Sequence, residues 1–313
     1  MRSYRNGGLF LLLSVLWGSS FMAIKVGLDY IPPVLFAALR YDIAGVIMLG
    51  YAAYATDYWR PRTRADWLTV LIGGTLIIAL YNAFLFIGQQ GVTSGVAAIL
   101  IAMNPILATG FSRVFLPDER LTTGGIVGLA LGFLGVGLVA NPGAVGAAPT
   151  ELLYPGFVLL AAVCVALGSV LLQRVDSGIS TEGMVAWSTV IGAVILHVMS
   201  GALPTESVAA VSITTESVLV VAYLAVFASA LGYFIYFDLL ERLGAIEINL
   251  VSYTVPVFAA LSGWVVLSEV LTWSAVGGFG LIALGFVLIK RTAIRVELAS
   301  AKKRWVVESN DER

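Results

Sequence analysis

The chain has a single cysteine, Cys164, and a single histidine, His197, in 313 residues. One thiol excludes a disulfide framework, and one imidazole beside it leaves no Cys/His set to hold a metal. Charge is scarce too. Asp, Glu, Lys and Arg make up 12% of the chain, against about 25% in a soluble domain. Polar groups could not cover the surface of such a molecule, so lipid must. A net charge of −1 does not imply a nucleic-acid partner. No GxxxxGK[ST] phosphate loop occurs, which argues against ATP hydrolysis within this chain. No cofactor is expected, and any work the chain performs would draw on a gradient or a partner.

What is abundant is apolar sequence: 59% hydrophobic residues and a mean hydropathy of +0.95. Stretches of the length that crosses a bilayer, about 20 residues, fall near 7–28, 34–54, 67–88, 93–115, 123–140, 154–173, 183–203, 217–238, 246–267 and 273–290. Short connections carry turn formers, such as Pro32-Pro33, Asn141-Pro142-Gly143 and Asp176-Ser177-Gly178. In lipid every backbone polar group must be satisfied within its own segment, so the expected fold is all-α and integral to the membrane. The first apolar run is too long for the core of a signal peptide and lacks a clear cleavage site. It reads as a spanning helix that is kept.

Charge gives the orientation. With ten spans the termini share a side, and that side collects 16 of the 18 basic residues, among them Arg2, Arg5, Arg60, Arg62, Arg64, Arg113, Arg120, Arg174 and Arg242. The opposite loops hold acids: Asp29, Glu151, Glu206, Glu216 and Glu269. Basic loops stay in the cytoplasm, so both termini are expected there.

The chain also repeats itself. Pro105 and Pro256 lie 151 residues apart inside long apolar segments. Leu116-Pro117-Asp118-Glu119-Arg120-Leu121-Thr122 follows the first, and Leu267-Ser268-Glu269-Val270-Leu271-Thr272 the second. The same offset pairs Ala79-Leu80 with Ala230-Leu231 and Phe86 with Phe237, and an offset of 150 pairs Gly18-Ser19 with Gly168-Ser169 and Gly135 with Gly285. Each half, 8–141 and 154–290, then holds five spans, with 291–313 left as a charged cytoplasmic tail. Five is odd, so the second half must enter the membrane inverted. Inverted halves have two equivalent packings that can exchange, a physical basis for alternating access.

These residues carry a family resemblance. Trp17-Gly18-Ser19-Ser20-Phe21 with Lys25, Leu39-Arg40-Tyr41, Asn104-Pro105 and the proline followed by an acidic turn in each half resemble the EamA family of the drug/metabolite transporter superfamily. The resemblance covers roughly residues 8–290. It implies a ten-helix inverted-repeat permease, often an exporter of amino acids or related small metabolites. Asp42, just after the Arg of the second motif, departs from the expected pattern.

Candidate site residues follow from polarity in apolar spans, because polar groups at membrane depth face protein or water. Asn249, Ser252, Tyr253 and Pro256 fall at i, i+3, i+4 and i+7, one helical face. Asn104 and Asn82 are their counterparts in the first half. Trp17 lies about 15 Å into its span at 1.5 Å per residue, too deep for an interfacial belt, and is read as cavity wall. Tyr81, Tyr233 and Tyr236 fit either a wall or the core. Pro105 and Pro256 each free a carbonyl near the midplane and are expected to act as hinges.

Arg40 lies about 9 Å below the outer end of its span and needs an anion, water or a partner. Asp42, two residues on, points to nearly the opposite side, which leaves Lys25 as its candidate partner. His197 is expected to be structural. Gly124, Gly128 and Gly132 form a small-residue stripe that can close-pack within the bundle or between two copies. The expected function is thus a secondary permease that moves, and more often exports, a small metabolite such as an amino acid or organic acid. The rivals are a drug or cationic-compound efflux carrier and a structural membrane subunit.

Overall fold

The computed structural model describes residues 2–115, 123–140, 152–244, 248 and 250–289. Asn249, the acidic turn at 116–122 and the tail 291–313 lie outside the described residues. What is described is helical, with no strand. The helices are α1 (Arg2–Gly27) and α2 (Pro33–Ala55), then α3 (Arg64–Gln89) and α4 (Ser94–Phe115). After α5 (Thr123–Ala140) come α6 (Leu153–Leu172), α7 (Thr181–Ala202), α8 (Thr215–Leu243), α9 (Val251–Leu267) and α10 (Trp273–Ile289). Seven of these, α1–α4 and α6–α8, are long and apolar enough to cross a membrane, and the other three are shorter apolar helices.

The helix ends follow from local chemistry. Pro33 opens α2 where a missing N–H costs nothing. The next two amides, of Val34 and Leu35, donate to the Glu206 carboxylate at 2.9 and 3.0 Å, a favourable place for negative charge at a helix start. Thr63 and Asp66 form a capping box at the start of α3, and Thr214 and Ser217 do the same for α8. Lys25 closes the other end of α3: its Nζ donates to the carbonyls of Gln89 and Val92 at 3.0 and 2.8 Å. That position corrects the expectation that Lys25 neutralises Asp42. Asp42 instead meets His197 at 2.8 Å, because the face of α2 opposite Arg40 packs on α7.

Two helices depart from regular α geometry in matching places. Gly73–Leu80 within α3 and Tyr223–Leu231 within α8 are π-helical. A π segment carries one extra residue per turn and leaves carbonyls free for other donors. The prolines behave differently from each other. α4 breaks at Ala102–Met103, just before Asn104-Pro105. α9 runs through Pro256, and the chain turns earlier, at Leu250.

Packing is broadest between α2 and α7. α1 lies against α9 and α6 against α4; α3 packs on α6 and α7, and α8 on α1 and α2. α5 and α10 cross at two glycine pairs: a Cβ added at Gly285 would sit 2.5 Å from the carbonyl oxygen of Gly128, and one at Gly135 2.6 Å from that of Gly278. Gly132 faces Met103 and Ile106 of α4. Gly128 and Gly132 are therefore turned inward and covered by the chain itself.

Candidate functional site

A cavity of about 350 Å³ lies at the centre of the bundle. Its walls come from both halves: α1 to α4 on one side, and α6, α8 and α9 on the other. Of the residues expected to line it, Trp17, Arg40, Asn82, Asn104 and Ser252 do so, together with Tyr81, Tyr233 and Tyr236. Among the described residues no Asp or Glu lines it.

Arg40 is the charged group among the described lining residues, with 8% of its surface exposed. Its Nε donates to Ser229 Oγ at 2.9 Å, and its guanidinium lies 5.0 Å from the Tyr41 ring centre. Ser229 sits in the π segment of α8, and its own hydroxyl donates to the carbonyl of Leu224, five residues back, at 2.9 Å. The extra residue of that turn thus presents a fixed oxygen to Arg40. Among the described residues no carboxylate comes within 4.0 Å of the guanidinium, and none of its other N–H groups meets a protein acceptor. A guanidinium carries five donors in a planar fork, so most of that fork is left for whatever enters the cavity.

The same π segment holds the aromatic wall. Trp17 Nε1 donates to the carbonyl of Ala228 at 3.1 Å. The indole stacks on Tyr236 at 5.6 Å between ring centres and meets Tyr233 edge-on at 6.4 Å. On the α3 side Tyr41 donates to Asn82 Oδ1 at 3.2 Å, and Asn82 Nδ2 donates to Ile78 O, in the other π segment, at 2.7 Å. Asn104 Oδ1 is buried and meets no protein donor. Ser20 and Ser169, from equivalent spans of the two halves, add hydroxyls to the lining. Among the described residues no group of three His, Cys, Asp or Glu gathers to hold a metal ion.

Tyr253 is placed off the cavity. Its ring packs on Phe286 of α10 at 4.5 Å, with its hydroxyl buried and unmatched. Ser252 and Val255, three residues apart, are the α9 residues that face the cavity. Tyr253 is rotated about 100° from Ser252, so the two look in different directions. Pro105 and Pro256 stand beside lining residues without lining the cavity themselves.

Sequence reasoning did not single out Ser229, Tyr41, Ser20 or Ser169 as site residues. Ser20 and Ser169 stood inside quoted motifs, and the need of Arg40 for a partner was legible. The partner was not, because it depends on the π register of α8. An inserted residue shows as a phase slip in the apolar pattern, and α3 and α8 are apolar on too many faces for a slip to register.

Comparison with known proteins agrees with this architecture. The profile of the EamA-like transporter family matches residues 6–141 and 153–291. The YvbV transporter of Bacillus subtilis is 28% identical over 95% of both chains. A Salmonella typhimurium protein named "Probable amino-acid metabolite efflux pump" is 30% identical, over 93% of this chain and 98% of its own. The inner membrane transporter YedA of Escherichia coli is 27% identical, over 87% and 86% of the two. A solved crystal structure shares the fold at 22% identity and a TM-score of 0.64, over 94% of this chain and 99% of that one. With both halves matched and its relatives aligned nearly end to end, the chain is a multi-pass membrane protein belonging to the EamA-like transporter family.

Proposed function

We propose that this transporter is a secondary permease of the inner membrane that exports a small carboxylate-bearing metabolite, such as an amino acid, by alternating access between two inverted five-helix halves. The observation that carries the substrate class is Arg40. A buried guanidinium whose one hydrogen-bond partner among the described residues is a neutral serine is costly in the membrane interior until an anion meets it. A carboxylate matches its fork with two parallel N–H···O bonds. Trp17, Tyr81, Tyr233 and Tyr236 would hold the apolar part of the same molecule. The aromatic wall would also suit a cationic drug, but a positive charge in the cavity and no acid among the described lining residues oppose that reading. A purely structural subunit has no use for a polar cavity at its centre.

The packing supports the inverted halves. Exchanging each helix for its counterpart turns α1 against α9 into α6 against α4, and α3 against α6 into α8 against α1. It also turns the Gly128–Gly285 crossing into Gly278–Gly135 at the offset of 150 read from the sequence. The two π segments are counterparts in the same way. The amino-acid metabolite efflux in the Salmonella relative's name and the inner membrane in YedA's support this substrate class and location. The basic loops support a cytoplasmic position for both termini.

The test is uptake of a labelled L-amino-acid panel into vesicles of purified protein. Arg40→Ala should abolish transport while inserting normally, and Arg40→Lys should restore part of it. Wild-type rates in Arg40→Ala would make Arg40 structural and favour a neutral or cationic substrate.

A further inference from the structure

A second place for an anion lies outside the cavity, on the segment between α2 and α3. Three arginines, Arg60, Arg62 and Arg64, fall within five residues, all exposed. Among the described residues none of them pairs with a carboxylate, and the segment sets against them one exposed acid, Asp57. The other acid, Asp66, is buried and occupied: it accepts from the Tyr58 hydroxyl at 2.6 Å, from Ser177 at 2.9 Å and from three backbone amides.

Two of the arginines are pre-set. The guanidinium of Arg60 lies 4.4 Å from the centre of the Trp59 ring, and that of Arg62 4.9 Å from the Tyr58 ring. Both rings are themselves held. Tyr58 is tied to Asp66, a bond that pushes its phenol above the usual value and keeps it protonated. Trp59 stacks on Trp187 of α7 at 6.4 Å. A guanidinium held over a fixed ring loses less freedom when its N–H groups bind a ligand. Just below, along α3, Trp67, Leu68 and Leu71 are 43%, 50% and 48% exposed, an apolar strip that starts where the basic segment ends.

We infer that Arg60 and Arg62 form a docking site for one anionic phospholipid, its phosphate forked by the two guanidinium groups and an acyl chain lying along Trp67, Leu68 and Leu71. Basic groups at a membrane face attract anionic lipid in general. The ring platforms make this a site rather than a diffuse attraction. A lipid there would brace the tie that Asp66 makes to Ser177 and Ile179, the contact between the α2–α3 and α6–α7 connections.

Native mass spectrometry of the purified full-length protein tests this, with phosphatidylglycerol and phosphatidylcholine of matched chains as probes. The wild type should keep one phosphatidylglycerol at collision energies that strip phosphatidylcholine. Arg60→Gln with Arg62→Gln should lower that retention at least about tenfold, the loss of a charge-assisted hydrogen bond. Trp59→Leu, which keeps every charge, should weaken it too. Arg5→Gln with Arg242→Gln removes as much charge elsewhere and should leave it unchanged. Equal retention of the two lipids would overturn the proposal, as would an equal loss in the Arg5/Arg242 pair. So would displacement of the lipid by glycerol 3-phosphate at the lipid's own concentration, which marks a site for a free anion.

Discussion

Replacing Ser229 with alanine tests how the cavity holds Arg40. Ser229 Oγ accepts from Arg40 Nε at 2.9 Å and donates to Leu224 O at 2.9 Å. Alanine removes both bonds and adds no bulk. Arg40 is 8% exposed, so water does not readily replace the lost acceptor. A buried donor left unmet costs about 1–3 kcal/mol, more if charged. Part of that cost falls on the orientation of the fork, which loses its hydrogen-bonded anchor and keeps only the Tyr41 ring among the described residues. With each 1.4 kcal/mol worth a factor of ten, the expected rise in KM for a carboxylate substrate is roughly 10-fold to 100-fold, with a smaller change in kcat. The assay is concentration-dependent uptake into proteoliposomes, normalised to inserted protein. A lysine at position 40 cannot reproduce the Nε contact, so in an Arg40→Lys background Ser229→Ala should add little, the non-additivity expected of two residues in one network. A KM within about twofold of wild type, the scatter of neutral substitutions, would refute the anchoring role. Equal and additive losses in both backgrounds would do the same.

The parts of the fold that were legible in the sequence rest on signals that lipid enforces. Among the described residues the apolar stretches appear as helices, seven of them long and apolar enough to cross a membrane, because every amide in lipid must bond within its own segment. The cavity was legible wherever a polar group had no other reason to sit at depth, as with Trp17, Arg40, Asn82, Asn104 and Ser252. It was illegible where the answer depended on rotation about a helix axis. Tyr253 and Ser252 are neighbours in the sequence, and only the seating of α9 against α10 decides which of them sees the cavity. Asp42 shows the same limit. The sequence reveals that it must point away from Arg40, but His197 lies 155 residues away, and no local pattern announces the α2–α7 contact that joins them.

Two further outcomes bear on the architecture. Gly285→Leu should prevent α10 from seating on α5, since even a Cβ would stand 2.5 Å from the Gly128 carbonyl. Overpacking of this kind costs about 1–3 kcal/mol or more, read as a lower melting temperature and loss of a monodisperse peak in size-exclusion chromatography; an unchanged melting temperature would mean the two helices do not cross there. The orientation is tested by cysteine labelling in a Cys164→Ala background, because Cys164 is the chain's one thiol. A cysteine at position 62 should react with a membrane-impermeant maleimide in broken cells and not in intact ones. Arg60, Arg62 and Arg64 cannot cross a bilayer cheaply, and the loop joined to this one through Asp66 must share its side. Arg174 sits at the end of α6 beside the Ser177 and Ile179 groups that Asp66 holds, so a cysteine at 174 should follow the one at 62. Labelling of both from outside would reverse the orientation and leave the fold intact. Labelling of only one from outside would contradict the hydrogen bonds themselves.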